Sequence, residues 1–378
     1  MKIVHLYKDY YPPTVGGMEQ TVERMATWQV RHGHEVTVLT SAARERHTTI
    51  ETVEGVRVIR VSEWARLLST PVCPSMPGHL AKLEADVYHH HFPSPPGEVS
   101  WLWVRPKGAM VVTWHCDIVR QAKFLVVYGR FIDDLLRSAD AIMPTSEHQL
   151  TFSRFLPHYL DKSRVVPLGI DLAPFSSMSR HAAAAMAFRE KHATPIILFV
   201  GRLVFYKGLD VMIDAMKQLP GTLVIVGDGP HRASLEERWR ASGLGDRVVF
   251  AGMIPPKDIA EWMAAADVGV LPSVLPNETF GLSMVEMMAC GVPCVCTDLG
   301  TGTTFVNRDG ETGLVVKPGD ADALAAAVRR LIEDPPLRRR MAEAARARAH
   351  TMFSVDAMMR GVHDVYDRAL ARRAGREP

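Results

Sequence analysis

The 378-residue chain is poor in several features that would have decided its class at once. No apolar run approaches the roughly 18 residues needed to cross a bilayer. The opening "MKIVHLYKDYYPP" has no signal-peptide hydrophobic stretch and goes directly into a strand pattern, so a cytoplasmic protein is the expectation. There are five cysteines, an odd and small number that argues against a disulfide framework. Cys290, Cys294 and Cys296 cluster in "MACGVPCVCTD", which reads as a helix end, a glycine stop and a buried strand, with cysteine as a small core residue and not as a metal ligand. Charge is nearly balanced, 44 Lys+Arg against 42 Asp+Glu for a net +2, so nothing global calls for nucleic acid. Neither G-x-G-x-x-G nor G-x-x-x-x-G-K-[ST] occurs, which excludes the usual dinucleotide fingerprint and a P-loop.

What is present is alternation. "KIVHLY", "EVTVLT", "VRVIRV", "DVYHHHF", "AMVVTW" and "AIMPTS" read as strands separated by helix-length amphipathic stretches. The pattern pauses near residue 172 in "LAPFSSMSRHAAAAMAF" and restarts as "PIILFVG", "TLVIVGDG", "RVVFAG", "DVGVLPS" and "PCVCTD". Two such runs predict an α/β protein of two Rossmann-like doubly wound domains, 1–172 and 190–350, with a final helix, 351–378, returning to the first. In open parallel sheets ligands bind at the carboxyl ends of strands, so the informative residues should follow strands, at a cleft between the domains.

"FVGRLVFYKGLD" offers a glycine turn, Arg202, Lys207 and a helix start, a combination suited to a diphosphate: a guanidinium that forks two oxygens and an ammonium point charge. "VIVGDGPH" gives a second strand–glycine turn at Gly227 and Gly229, which reads equally as a tight turn or as close approach to a nucleotide. "PNETFGLSMVEMMACGVPCVCTD" places Glu278 in a loop, starts a helix at Gly281 and Leu282, and carries Glu286 into its second turn. The backbone N–H groups of Phe280 to Ser283 would face an anion. A glutamate in an otherwise apolar helix needs partners, and a ribose is one. Asp320–Ala321–Asp322 reads as a helix N-cap and not as a metal site. Histidines 89–91 lie on a strand, so alternate rings point apart and cannot easily share one ion.

These residues together resemble the retaining glycosyltransferases of family 4, which have the GT-B fold, over nearly the whole chain. Glu278 and Glu286 fit the family's E-x₇-E motif, Arg202 and Lys207 its diphosphate pair, Gly16 and Gly17 its N-terminal glycine loop, and His115 in "VVTWHCD" its active-site histidine. "HLYKDYYPPTVGGMEQ" and "VRPKGAMVVTWHCDIVRQ" are similar to bacterial mannosyl- and rhamnosyltransferases of O-antigen and exopolysaccharide synthesis. Cys116 stands where that group usually has Ser, and "DLGTGTTFVNRDGETGLVV" departs from the family's G-G-x-x-E block.

The resemblance implies hexosyl transfer from a nucleotide-diphosphate sugar, GDP-mannose first, to a saccharide acceptor, polyprenol-diphosphate-linked, at the inner face of the cell membrane. It implies no cofactor and no metal. In that reading Gly16, Gly17, Arg202, Lys207, Gly227, Glu278, Phe280, Gly281, Leu282 and Glu286 bind the donor, and His115, Glu278, Arg202 and Lys207 act in catalysis. Glu19, Asp117 and Arg120 meet the acceptor, with Trp64, Trp101, Trp103 and Phe124 as aromatic platforms and Arg105, Lys107 and Lys123 toward anionic headgroups. A UDP-sugar donor and a sugar-nucleotide epimerase of the same fold are the alternatives.

Overall fold

Short β-branched runs joined by crossover helices favour parallel pairing, because each helix returns the chain to the same edge of the sheet. The computed structural model describes residues 1–14, 16–67, 70–118, 125–176, 183–192 and 194–375. The chain divides into two compact units, residues 1–169 with 355–378, and residues 170–354.

In the first unit the strands are β1 (Lys2–Leu6), β2 (Glu35–Ser41), β3 (Thr49–Val53), β4 (Val56–Val61), β5 (Ala65–Leu67), β6 (Thr70–Val72), β7 (Val87–Phe92), β8 (Ala109–Trp114) and β9 (Ala141–Pro144). Seven form one sheet in the order β3-β4-β2-β1-β7-β8-β9, parallel except for β3 against β4, while β5 and β6 make a separate antiparallel hairpin. The sequence pattern had not marked β3, β5 or β6. β3 is a solvent-facing edge and the hairpin strands are three residues each, so none carries a buried apolar run.

One face of the sheet buries Val4, Leu6, Tyr88, Phe92, Val112 and Trp114. The other buries Ile3, Val87 and Val111 under Met25 of the first helix, Gly17–Arg31, and under Met358, Val362, Val365 and Tyr366 of the last helix, Val355–Arg373.

That second face also carries a column of histidines. The strand period of two puts His89 and His91 on it and His90 on the other, where His90 Nε2 lies 3.6 Å from Glu98 Oε1. Parallel register sets His5 beside His89, an approach the sequence reading missed. Ring nitrogens of His5, His89 and His91 come within 4.8 Å of one another. All are already bonded to protein groups: His5 Nδ1 to His91 Nε2 (2.9 Å), His5 Nε2 to Gln29 Oε1 (2.7 Å), His91 Nδ1 to His115 Nε2 (3.2 Å), His89 Nδ1 to the Tyr366 hydroxyl (2.6 Å) and His89 Nε2 to Thr113 Oγ1 (2.6 Å). Burial disfavours the charged imidazolium, holding His5 at about 4, His115 at about 3, and His89 and His91 well below the ordinary histidine value.

The second unit has β10 (Ile196–Val200), β11 (Thr222–Val226), β12 (Val248–Gly252), β13 (Val268–Leu271), β14 (Cys294–Thr297) and β15 (Gly313–Val316) in the order β12-β11-β10-β13-β14-β15, all parallel. β15, half exposed and opened by a glycine, is another strand the sequence pattern had not marked. Cys294 and Cys296 are buried on β14 as free thiols, and loss of solvation pushes Cys290 and Cys296 up to about 12. Asp320 caps its helix, accepting from Ala323 N–H at 2.9 Å, and Asp322 accepts from Gln218 Nε2 at 2.6 Å.

The histidine column makes stability pH-dependent in a definite direction. Four imidazoles with depressed native pKa values contribute fully above the unfolded value near 6.5, and the contribution is lost as pH falls toward about 4 and 3. Each adds a slope of up to about 1.4 kcal/mol per pH unit in that window. Urea unfolding followed between pH 7.5 and 5 should show a steep loss of stability with proton uptake, and a flat profile would contradict the neutral column.

Candidate active site

β10 and β13 are neighbours where the strand order of the second unit reverses, the position at which a doubly wound sheet opens a crevice. β10 ends at Gly201. A short turn, Phe205–Lys207, then delivers Lys207, and Gly208 turns the chain into the helix Leu209–Ala215. Gly208 has φ +68°, and a Cβ there would stand 2.0 Å from the carbonyl oxygen of Pro272. Only glycine lets this loop lie against the loop after β13.

The consequence is an ion pair. Lys207 Nζ donates to Glu278 Oε2, as does Ser273 Oγ at 3.1 Å. The glutamate is 8% exposed, so its charge depends on these donors. The loop after β14 adds support: Thr301 Oγ1 donates to Glu278 O at 2.7 Å, and Gly302 N–H to Thr279 O at 2.9 Å. Three strand-end loops therefore converge on Glu278. Both side-chain donors use Oε2, which leaves Oε1 without a protein donor among the described residues. Arg202, five residues before Lys207 in the same loop, is exposed and has no ion pair among the described residues.

Gly281, at φ +86°, is the N-cap of the helix Leu282–Ala289. Met284, Val285, Met287 and Met288 are buried, and Leu282 and Glu286 half-buried, so the helix is less enclosed at Glu286 than its composition suggested. The Phe280 side chain is core, its ring 5.7 Å from Phe353 and 6.5 Å from Phe305, so what it can offer a ligand is backbone. The need for glycine at 227 is internal: a Cβ would meet the Gly201 carbonyl oxygen at 2.0 Å, and the Gly227 N–H already donates to Gly252 O at 2.8 Å.

In the first unit Gly16 is the N-cap of the first helix and Gly17 its first residue. A Cβ at Gly16 would stand 2.2 Å from Glu19 Oε2, so the Glu19 carboxylate folds over the glycine turn. Burial raises the Glu19 pKa, its own backbone N–H opposes this, and Asp9 raises it further. His115 follows β8, 2% exposed, with its carbonyl accepting from Gln149 Nε2 at 3.0 Å. Asp117 closes its own loop: Trp114 Nε1 (2.7 Å) and Ser153 Oγ (2.8 Å) donate to Oδ1, and Arg154 N–H (3.1 Å) to Oδ2.

Arg120, Lys123 and Phe124 lie outside the described residues. Trp101 is core, donating to Ser138 Oγ at 3.0 Å, whereas Trp64 and Trp103 are 66% and 80% exposed. Sequence reasoning did not find Ser273 or the partners of His115. Ser273 has no signal beyond its place after a strand, while His5 and His91 share the β-period of the strands that carry them.

Comparison with known proteins agrees with this layout. Residues 15–174 match the model of Glycosyltransferase Family 4, and residues 185–348 that of glycosyl transferases group 1. The O-antigen chain mannosyltransferase C of Escherichia coli is 31% identical over 376 residues, covering 99% of this chain and 100% of that one. The D-rhamnosyltransferase WbpZ of Pseudomonas aeruginosa is 33% identical over 356 residues, 94% of this chain and 92% of its own. Among solved structures, sucrose-phosphate synthase from Thermosynechococcus elongatus superposes with a TM-score of 0.82 at 25% identity, over 98% of this chain and 99% of that one. The two Rossmann-like units are those of the GT-B fold. The chain belongs to the family 4 glycosyltransferases, with the group 1 domain in its second unit.

The Gly208 contact is testable apart from activity. Gly208→Ala should lower stability by about 1–3 kcal/mol, the range for a non-glycine residue forced into a strained backbone region, read as a shift of the urea midpoint. An unchanged midpoint would mean the loop does not need that approach.

Proposed function

We propose that this glycosyltransferase moves a hexosyl group, mannose first, from a nucleoside-diphosphate sugar to a saccharide carried on a polyprenol diphosphate, with retention at the anomeric carbon and without a metal. The product belongs to surface polysaccharide of the O-antigen type, and the work is done at the cytoplasmic face of the membrane. The observation that carries the reading is the Lys207–Glu278 pair at the carboxyl edge of a parallel sheet, with the unpaired Arg202 in the same loop. The names of the two relatives above support a mannosyl or rhamnosyl unit in an O-antigen chain.

In this reading Arg202 and Lys207 take the diphosphate. Glu278 holds the ammonium in position beforehand and offers Oε1 to a sugar hydroxyl. Glu286 takes the ribose, and His115 meets the transferred sugar. The bond from the anomeric carbon to the diphosphate oxygen breaks, the acceptor oxygen bonds to that carbon on the same face, and the acceptor's hydroxyl proton passes to the departing diphosphate. Charge grows on the diphosphate in the transition state, and preorganised cations stabilise it without reorganising at that moment. Trp114, Ser153 and Arg154 engage both Asp117 oxygens, which supports a step without a covalent intermediate on Asp117. Glu19, Gly16 and Gly17 border the acceptor. No helix among the described residues is long and apolar enough to cross a membrane, so contact with a lipid-linked acceptor is peripheral in this scheme.

Lys207→Ala and Glu278→Ala should each lower turnover about a hundredfold or more with the fold retained. Near-normal rates for both would remove the site assignment. A thermal-shift panel of GDP- and UDP-sugars should give its largest rise with GDP-mannose, because a ligand bound only by the folded state stabilises it. A larger rise with a UDP-sugar would reassign the donor. Activity should survive EDTA, and loss restored by Mg²⁺ would overturn the metal-free scheme.

A further inference from the structure

The histidine column does more than fill space beneath β1, β7 and β8. Its bonds join end to end: His115 Nε2 to His91 Nδ1, His91 Nε2 to His5 Nδ1, His5 Nε2 to Gln29 Oε1, Gln29 Nε2 to the Tyr366 hydroxyl, Tyr366 to His89 Nδ1, and His89 Nε2 to Thr113 Oγ1. Every side chain in this run is at most 2% exposed. A neutral imidazole has one N–H and one lone pair, and each bond needs one of each. One choice therefore propagates along the whole run.

Gln29 makes that choice. Its Oε1 faces His5 and can only accept, so the His5 proton is on Nε2 and its Nδ1 is a lone pair. His91 must then donate from Nε2, which leaves its Nδ1 as an acceptor. His115 must donate from Nε2 in turn. On the other side the Gln29 amide donates to Tyr366, whose O–H donates to His89 Nδ1, and His89 donates from Nε2 to Thr113. The run ends at His115 Nδ1, buried and bonded by no group among the described residues. The reverse set of protons, with the Gln29 amide turned over, is equally continuous. It would put an N–H without an acceptor on that buried atom, and orphaned buried N–H groups are rarer than orphaned acceptors. The depressed pKa values of His5, His89, His91 and His115 keep the run neutral, which the relay of single protons requires.

We propose that Gln29, His5 and His91 are positioning residues that fix the tautomer of His115, so that its Nδ1 presents a lone pair to a hydrogen-bond donor on the substrate, such as a sugar hydroxyl. Tyr366, on the last helix, supplies the acceptor that the Gln29 amide N–H needs in this orientation. The inference rests on the proposed role of His115 toward the transferred sugar, but the tautomer itself can be read without any substrate.

The test is ¹⁵N NMR of the full chain labelled at histidine, with His115→Ala used to assign the His115 signals. In the unmutated protein His115 should carry its proton on Nε2, with a pyridine-type Nδ1. Gln29→Leu removes the acceptor at the start of the run, so either tautomer now leaves one orphaned N–H, at His5 Nε2 or at His115 Nδ1, and His115 should populate Nδ1–H alongside Nε2–H. Tyr366→Phe strands the Gln29 amide N–H, so turning the amide over trades that orphan for one at His115 and should produce the same mixture, which gives a second route if Gln29→Leu folds poorly. kcat/KM for GDP-mannose should fall with the Nε2–H fraction, roughly twofold for an even mixture, because the Nδ1–H form offers a donor where an acceptor is needed. A proton on Nδ1 of His115 in the unmutated protein, an unchanged tautomer in both variants, or a mixture with undiminished kcat/KM would each overturn the proposal. Full activity of His115→Ala would instead remove the role of His115, with the tautomer result still standing as measured.

Discussion

A buried carboxylate has to be paired, and the second unit is organised around that requirement. Glu278 sits nearly out of solvent, and the groups that satisfy it come from three different loops: Lys207 after β10, Ser273 after β13, and Thr301 after β14 through the glutamate's own carbonyl. Each loop reaches it only because of local backbone choices, among them the left-handed Gly208 against the Pro272 carbonyl. Breaking such a pair by removing one partner is costly because it strands the other charge, on the order of 3–5 kcal/mol for buried cases. The same pair has a chemical use in the proposed reaction. An ammonium immobilised beforehand needs no reorganisation when charge develops beside it.

The first unit solves a related problem with neutral groups. Five imidazoles at the centre of a parallel sheet, His5, His89, His90, His91 and His115, would be ruinous if charged. Burial keeps the four on one face neutral, and a run of hydrogen bonds engages all their ring nitrogens but His115 Nδ1. A polar network of this kind restricts the arrangements open to it, because any further defect leaves another unpaired group in a low-dielectric interior. The last helix takes part: Tyr366 both packs on the sheet with Val111 and Met143 and closes the hydrogen-bond run.

Much of this was legible in the sequence, and the legible part has a physical signature. Buried parallel strands such as "PIILFVG" and "TLVIVGDG" are continuous apolar runs, and the turns after them carry the glycines and charges of a ligand edge, so the fold and the neighbourhood of Arg202, Lys207 and Glu278 followed from local pattern. The N-cap role of Asp320 and the core role of Cys294 and Cys296 followed likewise. Short or solvent-facing strands, Thr49–Val53 and Gly313–Val316, lacked that apolar signal. The partners of His115 were not legible, because His5, Gln29, His91 and Tyr366 are brought together by strand order and by the return of the last helix, neither of which a one-dimensional pattern contains. Gly227 read equally as a tight turn or as close approach to a nucleotide, and the tight approach seen at that position is to the Gly201 carbonyl oxygen.

The central claim is that Arg202 and Lys207 recognise the second phosphate of a nucleoside diphosphate. Calorimetric titration of GDP against GMP, and of UDP against UMP, isolates that phosphate from base and ribose. The account predicts that the diphosphate of at least one pair binds roughly tenfold tighter or more than its monophosphate, and that the gap closes when Arg202 and Lys207 are both replaced by alanine. Equal affinity for mono- and diphosphates, or a gap that survives the double replacement, would contradict it.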